Sequence, residues 1–155
     1  MLIISCGKDK PIDLVDVTAK DYYFNTQDSI LSGWTTFRFI NEGHATHFFL
    51  LTELPGNADF QNYISDLVPV FDSAWDTLQT GASKAVAGAV LGSKLPGWYA
   101  NAKAIGGTGL IAVDNKEETT IKLELGNYVM ECYIKTEEGT FHRDLGMLRP
   151  IIVTK

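Results

Sequence analysis

GNYVMECYI, residues 126–134, is the stretch whose reading decides the fold. In extended chain the side chains alternate, so Tyr128, Met130 and Cys132 share one face while Val129, Glu131 and Tyr133 share the other. The charge of Glu131 marks the second face as the wetter one, which turns Tyr128, Met130 and Cys132 towards a core. Cys132 then ends a buried strand at the edge of that core. The chain leaves through residues 135–139, returns through Thr140-Phe141-His142, and begins another apolar strand at Gly146-Met147. A thiol, an imidazole and a thioether, spaced Cys-x9-His-x4-Met, therefore belong to one strand–loop–strand unit.

Outward from this unit the same period of two recurs. Residues 14–19, 21–25, 34–41, 46–54, 119–125, 127–134 and 147–154 read as strands; Phe37 and Phe39 fall on one face of their segment and Arg38 on the other. Many short alternating strands with glycine-bearing turns predict an all-β protein, a Greek-key β-sandwich. The middle of the chain breaks the pattern. Phe60, Tyr63, Ile64, Leu67, Phe71, Trp75 and Leu78 fall at helical spacing, with Asn57 or Asp59 able to cap the start, Pro69 expected to kink or split the helix, and Gly81 able to end it. The small-residue run behind it has little periodicity. Residues 57–108 are thus expected to form a helical and loop insertion whose aromatics anchor it to the sandwich. The glycine-rich part is no phosphate cradle, because no glycine there is followed by Lys-Ser or Lys-Thr at the required spacing.

A chain of 155 residues suits one domain with a proper core, taken here as residues 11–155. The net charge of −6 argues against nucleic acid, which needs a basic stripe. It allows a cationic partner drawn to the pairs Glu117-Glu118 and Glu137-Glu138, although each pair alone reads as ordinary solvated loop charge. Residues 1–10, MLIISCGKDK, look like the remnant of a bacterial lipoprotein signal and its linker, with Cys6 as the lipid-carrying residue. Only five residues precede Cys6, fewer than an apolar signal segment needs, so either the start lies upstream or this is a buried apolar tip. A lipid anchor at Cys6 is then the expected membrane contact. It would leave Cys132 unpaired in an oxidising compartment; the competing account is a Cys6–Cys132 disulfide.

The unit 126–147 lacks a second imidazole, and HATHFFLL, residues 44–51, supplies one from another strand. Two imidazoles and a thiolate in a plane, with a weak axial thioether, make the blue-copper electron-transfer site, whereas zinc prefers four good donors and methionine is a poor one. A Cys-His hydrolase would also need an oxyanion hole and an orienting residue, and neither is indicated.

At this point the chain resembles the cupredoxins, the plastocyanin- and azurin-like blue copper family. Gly126-Asn127-Tyr128-Val129-Met130-Glu131-Cys132 is similar to the family's Gly-x-Tyr-x-x-x-Cys strand, and Cys-x9-His-x4-Met follows it. The resemblance covers the strands from about Val15 to Thr154, apart from the helical insertion. It implies His47 as first imidazole, Cys132 as thiolate, His142 as second imidazole, Met147 as axial ligand and Tyr128 as a structural tyrosine. His44 is expected to face water. Two departures stand out: Phe48 follows His47 where most blue copper members carry a bracing Asn, and Glu137 and Glu138 sit in the ligand loop. The expectation is a protein that is not an enzyme, carries one type 1 copper and passes single electrons to a redox partner from the bacterial cell envelope, periplasmic or surface-tethered. A metal-free binding module and a copper carrier are the alternatives.

Overall fold

The computed structural model describes residues 13–155. Residues 1–10, with Cys6, lie outside them. Among the described residues nine strands form two sheets: β1 (Asp13–Lys20), β2 (Tyr23–Asn25), β3 (Ser29–Leu31), β4 (Gly33–Asn41), β5 (Leu50–Glu53), β6 (Lys103–Gly107), β7 (Lys116–Leu123), β8 (Gly126–Glu131) and β9 (Leu148–Thr154). One sheet has the order β2-β1-β4-β7 and the other β3-β9-β8-β5-β6. The chain passes between sheets from β2 to β3, from β3 to β4, from β4 to β5, from β6 to β7 and from β7 to β8, as a Greek-key sandwich requires.

Alternation accounts for the facing layers. Val15, Val17 and Ala19 of β1 and Phe37 and Phe39 of β4 point inward against Tyr128, Met130 and Ile151 of the other sheet and against Phe49, just before β5. On the outer face of the first sheet, Arg38 donates two hydrogen bonds to the carboxylate of Asp16, its register partner on β1. The β1–β4 pairing is parallel, as is β3–β9. The Tyr128 hydroxyl donates to the Glu124 carbonyl at 2.8 Å and accepts from its N–H at 3.2 Å, so Tyr128 pins the turn before β8.

The helical insertion is present, with boundaries of its own. A continuous helix runs through α1 (Phe60–Asn62), a π turn (Tyr63–Leu67) and α2 (Val68–Gln79), followed by α3 (Lys84–Lys94) and a 3-10 turn, Gly97–Asn101. Asp59 caps its start in a reciprocal box with Asn62. Pro69 does not split it: the wider π turn lies just before the proline, where an ordinary α-turn would drive the ring against a carbonyl one turn back. The helices stop at Asn101, and 103–107 is an edge strand paired with β5.

Two further expectations are revised. The strand predicted over 46–54 is regular only at Leu50–Glu53, and His47 joins the ladder through a single bridge to Ile111. The second face of β8 is not wet either, because Val129 and Glu131 are buried beneath the insertion, where Leu54, Tyr63 and Leu67 form a second small core with Val129.

Candidate metal centre

Cys132 follows β8 directly, and its N–H donates to the Met147 carbonyl at 3.0 Å. A 3-10 turn, His142–Leu145, brings the chain back: the His142 N–H donates to the Ile134 carbonyl, and the Met147 N–H to the His142 carbonyl. Gly146 makes the return possible. Its φ is +130°, and a Cβ there would lie 2.5 Å from the Tyr22 carbonyl oxygen. Strand end, loop and strand start are thus laced by backbone bonds, with Cys132, His142 and Met147 all buried.

His47 arrives from the other direction on the chain between β4 and β5. Its Nδ1, the His142 Nδ1 and the Cys132 Sγ face one another, with 3.2 Å between the two nitrogens and 3.6 Å from the sulfur to His142. One donor atom from each of the three residues lies within 4.8 Å of the other two. All three side chains are buried, and among the described residues Cys132 is a free thiol.

The neighbours of this triad set its protonation. The His47 Nε2 lies 2.6 Å from the Asp21 carboxylate, so Nε2–H donates and Nδ1 is left as an acceptor. With His47 in that form, His142 is the ring that donates across the Nδ1–Nδ1 contact. Burial pushes the His142 imidazole below its ordinary pKa; a positive charge on His47 would push the same way, and the Asp21 carboxylate pulls against both. Burial pushes the Cys132 thiol up, while the N–H groups of Phe48 and Ile134 pull the other way. Burial alone would raise the Asp21 carboxyl, but hydrogen bonds from the His44 N–H and from the His47 and His44 rings outweigh it and hold it below the usual carboxylate range.

Asp21 and Asn41 are the site residues that sequence reasoning missed. Asn41 is fully buried: its amide donates to the Ala45 and Ile111 carbonyls and its Oδ1 accepts from the Gly43 N–H. The brace expected just after the first histidine, where Phe48 stands, is therefore supplied six residues before it. Gly43 completes the arrangement, since a Cβ there would lie 2.5 Å from Asp21 Oδ1 and 2.7 Å from His47 Nε2. The only local signal was the turn sequence Asn41-Glu42-Gly43; nothing near Asp21 ties it to His47. His44 is exposed as expected, though its ring also touches Asp21 at 3.0 Å.

The insertion grips this unit from outside. Tyr63 donates to Glu131 Oε1 at 2.6 Å, Arg143 pairs with Asp72 of α2, and Lys135 lies over the rings of Trp75 and Phe141 at 4.1 and 3.6 Å. On the open side a cavity of about 390 Å³ exposes the approach to His142, lined among others by Tyr22, Thr46, Glu137 and Glu138.

A buried thiol and two imidazole nitrogens, converging with a methionine beside them, fit a soft or borderline metal ion. No protein-family model and no curated sequence matches the chain. Solved structures do. An auracyanin from the photosynthetic bacterium Roseiflexus castenholzii is similar with a TM-score of 0.54 at 17% identity, covering 92% of this chain and 97% of that one. Auracyanin A, a "blue" copper protein from Chloroflexus aurantiacus, gives 0.56 at 14% identity over 93% of this chain and 100% of that one. Auracyanin B gives 0.53 at 19% identity, over 96% and 93%.

Proposed function

We propose that the chain, whose fold is that of the cupredoxins, is a type 1 copper electron-transfer protein, an electron carrier rather than an enzyme, held at the bacterial cell envelope through a lipid on Cys6. The observation that carries this reading is the buried convergence of His47 Nδ1, His142 Nδ1 and Cys132 Sγ. These three atoms would hold the metal, and Met147, buried and bonded through its carbonyl to the Cys132 N–H, would supply a thioether as a weaker donor. Copper bound there supplies one-electron chemistry between Cu(II) and Cu(I). The rest falls to the protein. Asp21 holds His47 in the tautomer that presents Nδ1. Loading requires the Cys132 thiol proton to leave and a neutral His142 ring to carry its proton on Nε2 rather than Nδ1, so uptake releases the thiol proton. The sandwich and the insertion fix the surrounding side chains, which limits movement between oxidation states.

Of the three triad residues His142 alone lines the open cavity, whose walls also carry Glu137, Glu138 and Lys135. The two glutamates suit a cationic redox partner.

Cu(II) added to the metal-free protein is expected to give an intense thiolate-to-copper band in the visible that ascorbate bleaches. Cys132→Ser should abolish it, His47→Ala should weaken and alter it, and His44→Ala should leave it. Copper binding with no such band, or no binding at all, overturns the electron-transfer reading in favour of a metal-free binding module.

A further inference from the structure

The residues that flank Cys132 and His142 in the chain meet again in space. Glu131 and Tyr133, on either side of Cys132, and Phe141 and Arg143, on either side of His142, all line one cavity of about 430 Å³. It opens between α2, strands β5 and β6, and the turn that follows His142. One wall is thus the reverse side of the unit that presents the thiol and the imidazole to the triad. Phe71, Trp75 and Tyr99 of the insertion supply further walls. The volume and the aromatic lining are those of a small-molecule site.

The charges around the cavity already have partners. Arg143 pairs with Asp72, lies 3.4 Å from Asp144 and stacks over the Phe141 ring at 4.0 Å. Glu131 accepts from Tyr63. Lys135, over the rings of Trp75 and Phe141, donates to the Gly139 carbonyl at 2.8 Å. A cation entering here would meet Arg143 and Lys135, and an anion drawn to those two would meet Asp72, Asp144 and Glu131. A charge of either sign would lose hydration for little net attraction, whereas the rings favour an uncharged aromatic. Cys132 is fully buried, so a reagent reaches its thiol only when the protein opens locally. Opening that frees Cys132 displaces Tyr133, its chain neighbour, and so breaks the cavity.

We propose that this cavity binds a small, uncharged, planar aromatic molecule, and that its occupant holds the unit carrying Cys132 and His142 closed. The site needs no metal. For the copper reading above, occupancy would slow metal exchange; the test does not depend on that reading.

The test uses the metal-free protein with naphthalene, 2-naphthoate and 2-naphthylmethylammonium. Calorimetric titration should find one site for naphthalene, about tenfold tighter than for either ion. Iodoacetamide labelling of Cys132, read from its peptide by mass spectrometry, should slow about fourfold with naphthalene at about three times its Kd. That factor, one plus the ratio of ligand concentration to Kd, is what linkage gives when opening empties the site. Free cysteine should label at an unchanged rate. Urea below the unfolding transition should leave the Cys132 rate nearly flat, as local opening does. Ala104→Phe, which fills the cavity from an exposed position on β6, should weaken naphthalene binding by about tenfold or more and remove the protection, with circular dichroism and melting unchanged. Absence of saturable binding, an ion bound as tightly as naphthalene, or an unprotected Cys132 would each overturn the proposal. So would a labelling rate that climbs with urea as steeply as global unfolding, or full-strength binding in Ala104→Phe.

Discussion

Asp21 shows how much one carboxylate can decide. It reaches His47 from a turn beyond β1, fixes the ring's tautomer, and has its own pKa lowered by the bonds it accepts. Asp21→Asn keeps the shape and loses the charge, so it should cost about 10–100-fold in copper affinity, measured by competition with a chelator, with the visible band still present. A loss of less than twofold would mean the packing around His47, not Asp21, sets the ring. Glu131 gives a prediction of opposite electrostatic sense. Burial raises its carboxyl pKa, against the lowering pull of the Tyr63 hydrogen bond and of Arg143. A carboxyl raised in the folded state contributes fully below its unfolded value and loses that contribution as pH rises through the folded value. Glu131→Gln should therefore melt higher than the native protein at pH 7.5, with the gain shrinking by pH 4; the same difference at both pH values would refute this. The sequence showed Cys132, His142 and Met147 as a set because they are close along the chain. It could not show Asp21, whose bond to His47 depends on how β1 and β4 lie side by side.

At the scale of elements, period was the reliable guide and polarity the misleading one. The helix over 60–79 was visible because Phe60, Tyr63, Leu67, Phe71 and Trp75 repeat at helical spacing. Strand β6, KAIGG, was not, because two glycines and an exposed lysine hide a strand whose place is set by pairing with β5. The outer face of β8 was read as wet because Glu131 is charged; the hydroxyl of Tyr63, from an element far along the chain, makes its burial tolerable. That helix rests on Leu67, which is fully buried against the Val129 cluster. Leu67→Ala should destabilise the protein by about 2–5 kcal/mol in urea unfolding followed by circular dichroism. A cost below about 1 kcal/mol would show that the insertion contributes little to global stability.

For the molecule as a whole, the sandwich was legible because two-residue alternation survives in most strands. The parallel pairs β1–β4 and β3–β9 were not, since parallel and antiparallel neighbours leave the same alternation. Location belongs to this scale as well. Among the described residues no helix is long and apolar enough to cross a membrane, so the proposed tether rests on Cys6. Expressed with its native upstream sequence in a bacterium, the protein should partition into the membrane fraction, and Cys6→Ala should move it to the soluble fraction; identical partitioning of the two would dismiss the anchor. The insertion, for its part, leaves and re-enters the sheet at Glu53 and Lys103, which face each other in register and form an ion pair at 3.3 Å. Topologically, then, everything from 54 to 102 is the tip of one hairpin. Closing such a tip costs only about 0.6 kcal/mol more for each doubling of its length. The segment is a cassette in topology alone: its length can change without redrawing the order of a single strand, but whatever fills it must still cover Val129 and Glu131 and pair with Arg143, on the flank of the unit that gathers His47, Cys132, His142 and Met147.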